Sequence, residues 1–265
     1  MDLNDISTQL LFITIPINTK INTDEQRSGT GFLINCEIDK DANSSIPLLI
    51  TNWHVVKNSD SVLIRMCSAD EHGMPKNTMP ITVEINGNEW VKFHNEELDI
   101  AVLPMGPIFN QLITAGHKFF YRALAFNLFP EENTIEEFSA LEEVIFIGYP
   151  SGILDSHNLG PLIRKGITAT PIWRDFEGKP RFVVDAGVFP GSSGSPVFIM
   201  NSSSYTTKKG IHLGSRLYFI GMLTTTFFVS HQQIDQRTYL GLGEVIKSTK
   251  VKIFIEKVLT QLNPD

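Results

Sequence analysis

Short segments rich in β-branched and aromatic residues recur along the whole chain, and they constrain its fold more than any other feature. Turn-forming Asn, Gly, Asp, Ser and Pro separate these segments. The first set is "LLFITI", "GTGFLINC", "PLLIT", "VLIRM", "WVKF" and "DIAVL". The second set is "VIFIGYP", "LIRKGITAT", "FVVD", "PVFIM", "LYFIGMLT" and "TYLGLGEVI". Many short strands with few helices predict an all-β barrel or sandwich.

Two parts of the chain depart from this strand pattern. Residues 107–140, with "PIFNQLITAG" and "TIEEFSALEE", are predicted to hold one or two short helices. From Ser248 onward the apolar residues recur at helical spacing, which predicts a C-terminal helix with Ser248 as its N-cap. The apolar face of this helix is predicted to contain Val251, Phe254, Ile255, Val258, Leu259 and Leu262.

Composition and charge argue against several classes of function. Hydrophobic residues make up 42% of the 265 residues, which is enough for a full core. The net charge is −7 and Lys and Arg form no basic run, so nucleic acid is not an expected partner. No apolar stretch approaches the ~18 residues that a membrane span needs. The chain is therefore not expected to bind a membrane.

The first residues and the two cysteines predict a location. The start "MDLNDISTQLLFITIPI" carries acids where a signal peptide carries basic residues, so we interpret it as a strand. Without export, Cys36 and Cys67 are expected to be buried thiols rather than a disulfide framework. These features predict a reducing, cytoplasmic location.

A run of small residues in "VFPGSSGSPVF" is the first candidate for chemistry. It places Ser193 between Gly191 and Gly194. A nucleophilic serine needs a base, an acid that orients the base, and donors aimed at the developing oxyanion. The N–H groups of Gly191 and Ser193 are the expected donors. A strand follows the run and Ser195 replaces the last glycine of G-x-S-x-G, which argues against the nucleophile elbow of α/β-hydrolases.

The candidate base and acid lie earlier in the chain. His54, in "LLITNWHVV", follows an apolar strand, and Asp99, in "HNEELDIAVLPM", leads directly into one. Glu96 and Glu97 look solvated. Taken singly, a histidine in an apolar segment is more often a core residue, and such an aspartate more often begins a strand. Together with Ser193, the two residues form an ordered set suited to catalysis by serine.

These motifs, in this order, resemble the trypsin-like serine peptidases of the chymotrypsin fold. "GTGFLI", "TNWHVV", "LDIAVL" and "GSSGSPVF" fall where that family has the strand before its histidine, its His, its Asp and its Ser motif. The sequence is most similar to the bacterial HtrA-like and glutamyl-endopeptidase-like branches, with no PDZ domain attached. The resemblance implies two six-stranded antiparallel β-barrels and a C-terminal α-helix. We predict a single peptidase domain over 1–265: a first barrel over about 8–106, a connecting insertion over 107–140, a second barrel over 141–247 and the helix over 248–263.

The resemblance also implies a function, that of a serine endopeptidase with a polypeptide substrate. Ser193 is then the nucleophile, His54 the base and Asp99 the group that orients it, with Gly191 and Ser193 as the oxyanion hole. No metal or cofactor is needed, and no metal-ligand spacing is visible. Two alternatives stay open. One is a catalytically silent binding module on the same scaffold, and the other is an esterase with the same triad.

The resemblance assigns the pocket for the residue before the cleaved bond to Gly187, Thr224, Thr226 and Gly241. None of these carries a charge, which predicts a small-to-medium apolar residue there. Glutamate-selective members have a histidine where this chain has Leu223, so an acidic preference is disfavoured. In the alternative reading, the loop "FFVSHQQIDQRTY" folds over the cleft and supplies a polar partner.

Two departures from the family pattern bear on control. Val55 stands where secreted animal members carry a disulfide cysteine, and Ser192 stands where zymogen-activated members have an aspartate. Ser192 cannot pair with a new N-terminus, so the uncleaved chain is predicted to be chemically competent. Any control is then expected to come from loops or a partner. An unregulated protease in the cytosol would be harmful, so narrow specificity or a regulatory protein partner is expected.

Overall fold

The computed structural model describes residues 2–21, 25–39, 44–153, 155, 158, 160–231 and 236–263. Within these ranges the chain forms two β units, one from each half, with short helices between the strands and a longer helix at the end. The all-β fold predicted from the sequence is confirmed.

The first half of the chain forms one eight-stranded sheet with the order β5-β4-β1-β2-β3-β7-β6, in which β8 pairs with β4. The strands are β1 (Thr14–Lys20), β2 (Gln26–Asp39), β3 (Ser44–Thr51), β4 (Ser61–Ala69), β5 (Pro75–Asn86), β6 (His94–Asn95), β7 (Ile100–Pro104) and β8 (Phe119–Phe120).

The six-stranded closed barrel predicted for this half is not confirmed. Among the described strands no ladder joins β5 to β6, so the sheet stays open there. The segment "WVKF", predicted as a strand, contributes instead to helix α3 (Asn88–Val91) between these two strands. The indole of Trp90 is fully buried, and the Trp90 backbone N–H donates to the carbonyl of Gly87 at 3.2 Å. The segment therefore forms a helical turn that buries the Trp90 ring, and the predicted strand is wrong here.

The second half forms the closed barrel that the sequence predicts. Its six strands follow the order β10-β11-β16-β15-β12-β9, and β9 pairs with β10 to close the ring. A separate hairpin of two strands, β13 and β14, lies outside the barrel. The strands of this half are β9 (Glu143–Gly148), β10 (Leu162–Thr168), β11 (Arg181–Asp185), β12 (Pro196–Asn201), β13 (Ser204–Thr207), β14 (Gly210–Leu213), β15 (Arg216–His231) and β16 (Gln236–Lys247).

Five further helices complete the fold: α1 (Ile6–Leu10), α2 (Trp53–Val56), α4 (Gly106–Thr114), α5 (Glu132–Glu137) and α6 (Ser248–Leu262). Short 3₁₀ turns span Phe126–Leu128 and Pro150–Gly152. Helices α4 and α5 confirm the prediction of short helices in 107–140. None of the helices in the described ranges is long and apolar enough to cross a membrane.

Two predictions near the termini need correction. The segment before β1 was predicted as a strand, but it begins with helix α1, whose N-cap Asp5 accepts a hydrogen bond from the Thr8 N–H at 2.8 Å. At the other end, Ser248 is the first helical residue of α6 and is buried, while Lys247 is the N-cap. The predicted apolar face of α6 is confirmed, because its residues pack into the core.

One apolar core joins the two halves. It combines Phe32 and Ile50 of the first sheet with Phe198 and Phe219 of the barrel, and α6 contributes Phe254. The ring centroids of Phe32 and Phe219 lie 5.3 Å apart. Removal of this surface from water holds the halves in one arrangement, with a cleft between them.

Candidate active site

His54 and Asp99 are brought together by two neighbouring strands of the first sheet. His54 lies in α2, directly after β3, and Asp99 directly precedes β7, which pairs with β3. The His54 Nδ1 atom lies 2.7 Å from Asp99 Oδ2. The His54 backbone N–H donates to Asp99 Oδ1 at 2.9 Å. A carboxylate only accepts hydrogen bonds, so Nδ1 carries the proton and Nε2 is the basic nitrogen.

The backbone of Asp99 adopts an uncommon conformation that helps to aim this carboxylate. Its φ is +61°, in the left-handed region, which costs a non-glycine residue roughly 1–3 kcal/mol. The Asp99 carbonyl accepts hydrogen bonds from the Trp53 N–H at 3.2 Å and from Asn52 Nδ2 at 3.0 Å. These bonds come from the residues just before His54, so the same contacts fix both members of the pair.

The loop that carries Ser193 depends on two glycines in the left-handed region. Gly191 has a φ of +85° and Gly194 a φ of +86°. A Cβ atom added to Gly191 would lie 2.5 Å from the Ser151 nitrogen, which leaves no room for a side chain. Gly191 and Ser193 both line the cleft. Within the described part of the chain, no hydrogen bond uses their N–H groups, so both donors are available to an acceptor in the cleft.

Thr30 holds this loop in place, and the sequence analysis missed it. Its N–H donates to the Ser193 carbonyl at 2.8 Å, and its hydroxyl donates to the Gly191 carbonyl at 3.3 Å. The same hydroxyl accepts from the Tyr149 N–H at 3.0 Å, and the Thr30 carbonyl accepts from the Thr51 hydroxyl at 2.8 Å. Thr30 lies inside the motif "GTGFLI", but nothing in that motif indicates contacts to residues more than one hundred positions away.

The cleft has a volume of about 770 Å³ and is open to solvent. Both halves contribute to its lining, which includes His54 and Asp99 from the first and Gly191, Ser193 and Thr224 from the second. The structure therefore places the three candidate catalytic side chains in one cleft.

Ser193 is in this cleft without being bonded to the imidazole. Its hydroxyl donates to the Thr224 carbonyl at 3.0 Å. Among the described contacts, none joins Ser193 Oγ to His54. The Thr224 hydroxyl donates to Asp99 Oδ2 at 2.5 Å. Thr224 thus contacts both the nucleophile candidate and the acid candidate.

The other residues predicted to form the specificity pocket divide into two groups. Thr226 lines the cleft with Thr224, whereas Gly187 and Gly241 do not. A Cβ atom on Gly241 would lie 3.4 Å from the Gly187 Cα, so the two glycines pack against each other. The Thr226 hydroxyl donates to the Val188 carbonyl at 3.0 Å. This hydrogen bond joins the cleft-lining residue Thr226 to the residue that follows Gly187.

A charged side chain that the sequence analysis did not consider lies beside Gly187. The Nη2 atom of Arg164 is 2.6 Å from a Cβ atom built on Gly187. The Arg164 guanidinium also lies over the ring of Phe189, 5.2 Å from its centroid. Arg164 lies in the quoted segment "LIRKGITAT", but a strand pattern does not show which distant residue its side chain meets.

Arg27 and Arg181 line the cleft, and each is paired with a glutamate. Arg27 contacts Glu25 at 2.9 Å, and Arg181 contacts Glu244 at 2.8 Å. Arg27 Nη1 also donates to the His54 carbonyl at 3.1 Å, so it anchors the turn that carries the imidazole. Each pairing places a carboxylate next to the guanidinium. Over the described ranges, no three His, Cys, Asp or Glu side chains are grouped as a metal site.

The family model of the trypsin-like peptidase domain matches residues 29–203. This range is more than half of the chain and includes His54, Asp99 and Ser193. The chain belongs to the trypsin-like peptidase family. This trypsin-like peptidase is accordingly a serine endopeptidase by class, and the family predicted from the sequence is confirmed.

Solved structures similar to this trypsin-like peptidase are distant in sequence. The Rv3671c protease from M. tuberculosis, in its active form, is 14% identical, with 95% of this chain and 82% of that chain covered and a TM-score of 0.46. The serine endoprotease from Yersinia pestis is 15% identical, with 97% and 66% covered and a TM-score of 0.48. The tobacco etch virus protease complexed with product is 12% identical, with 98% and 81% covered and a TM-score of 0.48. No curated protein sequence matches the chain.

Proposed function

We propose that the protein cleaves polypeptides through a triad of His54, Asp99 and Ser193. The observation that supports this most is the 2.7 Å contact of His54 Nδ1 with Asp99 Oδ2, in a cleft that also contains Ser193. Asp99 fixes the tautomer of His54 and stabilises the imidazolium that forms. His54 Nε2 takes the proton of the attacking hydroxyl and later returns it to the leaving amine.

The nucleophile has to change its hydrogen-bond partner before it reacts. Ser193 Oγ donates to the Thr224 carbonyl, so attack requires rotation about its Cα–Cβ bond until the hydroxyl faces His54 Nε2. Such a rotation moves between staggered side-chain positions and leaves the backbone unchanged. Catalytic hydrogen bonds are often absent or long before substrate binds.

The N–H groups of Gly191 and Ser193 are proposed as the oxyanion hole. Both residues line the cleft, and the contacts of Thr30 with this loop support a fixed orientation of the two peptide groups. A donor of this kind stabilises the tetrahedral transition state by roughly 3 kcal/mol.

The residue accepted before the cleaved bond is proposed to be small and uncharged. Val188 and Leu223 are buried, and a Cβ atom on Gly243 would lie 2.7 Å from Val188 Cγ2 and 3.1 Å from Leu223 Cδ2, so this part of the barrel is tightly packed. On the cleft side, the Thr226 hydroxyl donates a hydrogen bond to the Val188 carbonyl. A shallow pocket of this kind gains little from long side chains, because burial contributes only ~25 cal/mol per Å² of surface that fits.

Three substitutions test the triad. Ser193→Ala and His54→Ala are expected to abolish cleavage of a casein digest and labelling by a fluorophosphonate probe, while circular dichroism stays unchanged. Asp99→Asn is expected to lower kcat by about 10⁴-fold, because the imidazole loses its correct tautomer. Near-normal cleavage by folded Ser193→Ala protein would contradict the proposal.

The same experiment separates the alternative functions. A wild-type chain that fails to label at Ser193 would indicate a binding module. A chain that labels and hydrolyses p-nitrophenyl acetate, but cleaves no peptide bond in a library, would indicate an esterase. The same library gives the preferred residue before the cut, for which we expect Ala, Ser, Gly or Val.

A further inference from the structure

A turn just after strand β9 contacts the peptide group that carries one proposed oxyanion donor. The turn spans Pro150–Gly152, and its Ser151 backbone N–H donates to the Pro190 carbonyl at 2.6 Å. The Ser151 hydroxyl lies 3.4 Å from the same oxygen. This carbonyl belongs to the peptide group whose N–H is that of Gly191. The turn therefore holds the opposite end of the peptide group that supplies the donor.

The geometry of a peptide group converts this contact into a direction for the N–H. In a planar trans peptide the C=O and the N–H point in opposite directions. Because the turn holds the Pro190 carbonyl, the Gly191 N–H points away from the turn. Gly191 lines the cleft, and among the described hydrogen bonds none uses its N–H. The contact with Ser151 therefore favours the orientation in which this donor is available to an oxyanion.

Ser151 makes the contact in a backbone conformation that is uncommon for a residue with a side chain. Its φ is +52° and its ψ is +27°, and Gly152 follows with a φ of +69°. The turn is closed by the Ile153 N–H, which donates to the Pro150 carbonyl at 2.8 Å. Positive φ at both central residues is typical of a type I′ turn. This left-handed region suits glycine and asparagine and disfavours β-branched residues.

The turn packs directly against the loop, but the Ser151 side chain does not face the substrate cleft. A Cβ atom on Gly191 would lie 2.5 Å from the Ser151 nitrogen and 2.9 Å from the Tyr149 oxygen. Ser151 itself is exposed and is not part of the cleft lining. A change at Ser151 therefore acts on the chemistry through the peptide group of Pro190 and Gly191.

We propose that Ser151 is a positioning residue for the oxyanion hole. Its left-handed backbone directs its N–H at the Pro190 carbonyl, which keeps the Gly191 N–H turned toward the cleft. If the turn changes conformation, the peptide group is free to rotate, and a carbonyl oxygen facing the cleft repels the developing oxyanion. This inference rests on the proposed function, because the Gly191 donor is part of it.

Two substitutions separate the backbone conformation of residue 151 from its hydroxyl. Ser151→Thr keeps the hydroxyl, but its branched β-carbon disfavours the left-handed region. Ser151→Asn removes the hydroxyl and suits that region. With a fluorogenic peptide substrate, we expect Ser151→Thr to lower kcat by about tenfold with little change in KM, because the donor acts on the transition state. We expect Ser151→Asn to keep kcat within about twofold of the wild-type value.

A second turn of the same kind provides the matched control. Glu177 has a φ of +50° and is followed by Gly178 with a φ of +71°. Glu177 is exposed, and neither residue lines the cleft. Glu177→Thr therefore imposes the same backbone strain without a contact to Pro190. We expect it to lower the thermal midpoint as Ser151→Thr does, and to leave kcat unchanged.

The pH dependence of kcat/KM is a further readout. His54 and Asp99 are not in contact with the turn, so the midpoint of the pH profile is expected to be the same in Ser151→Thr and in the wild type. A shifted midpoint would show that the substitution acts on the imidazole, which contradicts the proposal.

Crystal structures of the wild type and of the Ser151→Thr protein test the inference apart from activity. We expect the Pro190 carbonyl to face the nitrogen of residue 151 in the wild type and to turn toward the cleft in the variant. If the wild-type chain cleaves no peptide, the proposed function fails, whereas these structures still decide the role of Ser151.

Four further results would overturn the proposal. The first is a Pro190 carbonyl that has the same orientation in both structures, and the second is a wild-type kcat in Ser151→Thr. The third is an equal loss of kcat in Ser151→Asn, which would assign the effect to the hydroxyl. The fourth is an equal loss of kcat in Glu177→Thr, which would show that the effect is a general loss of stability.

Discussion

Thr224 contacts Asp99 and Ser193 at the same time, through two different groups. Its hydroxyl donates to Asp99 Oδ2 at 2.5 Å, the oxygen that also faces His54 Nδ1, and its carbonyl accepts the Ser193 hydroxyl at 3.0 Å. The Thr224 hydroxyl therefore contacts the proposed acid, Asp99, and the Thr224 carbonyl contacts the proposed nucleophile, Ser193. A side-chain substitution removes the first contact and keeps the second.

Thr224→Val is therefore expected to lower kcat by about 10- to 100-fold with little change in KM. A hydrogen bond to a charged group contributes about 1.5–3 kcal/mol, and its loss lets the carboxylate turn away from the imidazole. Thr224→Ser keeps the hydroxyl and serves as the control. Full activity in Thr224→Val together with a loss in Thr224→Ser would show that packing of the methyl group, rather than the hydrogen bond, matters here.

Arg164 provides the test of the proposed substrate preference. It lies beside Gly187, but it is absent from the cleft lining and its guanidinium packs on Phe189. We expect Arg164→Met to change kcat/KM for a substrate with Ala before the cut by less than about threefold, since that residue does not need the charge. Library profiles of both proteins check this. A dominant Asp or Glu preference that disappears in Arg164→Met would show that the guanidinium faces the pocket.

Ser192 leads to a prediction about whether the chain needs proteolytic cleavage before it is active. Its side chain is 1% exposed, and its hydroxyl has no hydrogen-bond partner among the described residues. A serine offers no carboxylate to a charged N-terminus, so we expect the intact chain to be active. The measurement is the mass of the protein labelled by the fluorophosphonate probe, which should equal the intact chain plus one probe less the HF that the reaction releases. Labelling confined to a shortened chain would contradict this expectation.

The buried pair of Arg216 and Glu142 gives a stability prediction for the second barrel. The side chains are 6% and 5% exposed and lie 2.5 Å apart, and the second Glu142 oxygen accepts the Ser139 N–H at 2.8 Å. Arg216→Met leaves a buried carboxylate without its cation. We expect the free energy of unfolding to fall by about 3–5 kcal/mol in urea titrations.

The matched control for that pair is Lys165 with Glu143, whose side chains are 64% and 58% exposed. Lys165→Met removes a pair that water already screens, so a change below about 1 kcal/mol is expected. Similar losses in the two variants would show that burial does not decide the contribution of these ion pairs.

The sequence by itself determined the features that depend on local periodicity and on motif order. Alternating β-rich segments predicted most strands, and helical spacing predicted the buried face of α6, because neighbours in sequence decide both patterns. His54 and Asp99 were found because each borders an apolar strand, and Ser193 was found because it lies between two glycines in a run of small residues. The predicted cytoplasmic location, the regulatory protein partner and the domain boundaries stay predictions.

Only the tertiary structure decided which groups meet. It left the first sheet open, placed Arg164 beside Gly187, and bonded the Ser193 hydroxyl to Thr224 rather than to His54. It also revealed Thr30, whose hydroxyl contacts Gly191 across 161 positions of the chain. Such contacts form because the two β units pack on one core. The spacing of residues along the sequence does not predict that packing. Local patterns therefore specify the strands and helices, whereas the orientation of each candidate catalytic group is set by contacts between distant segments.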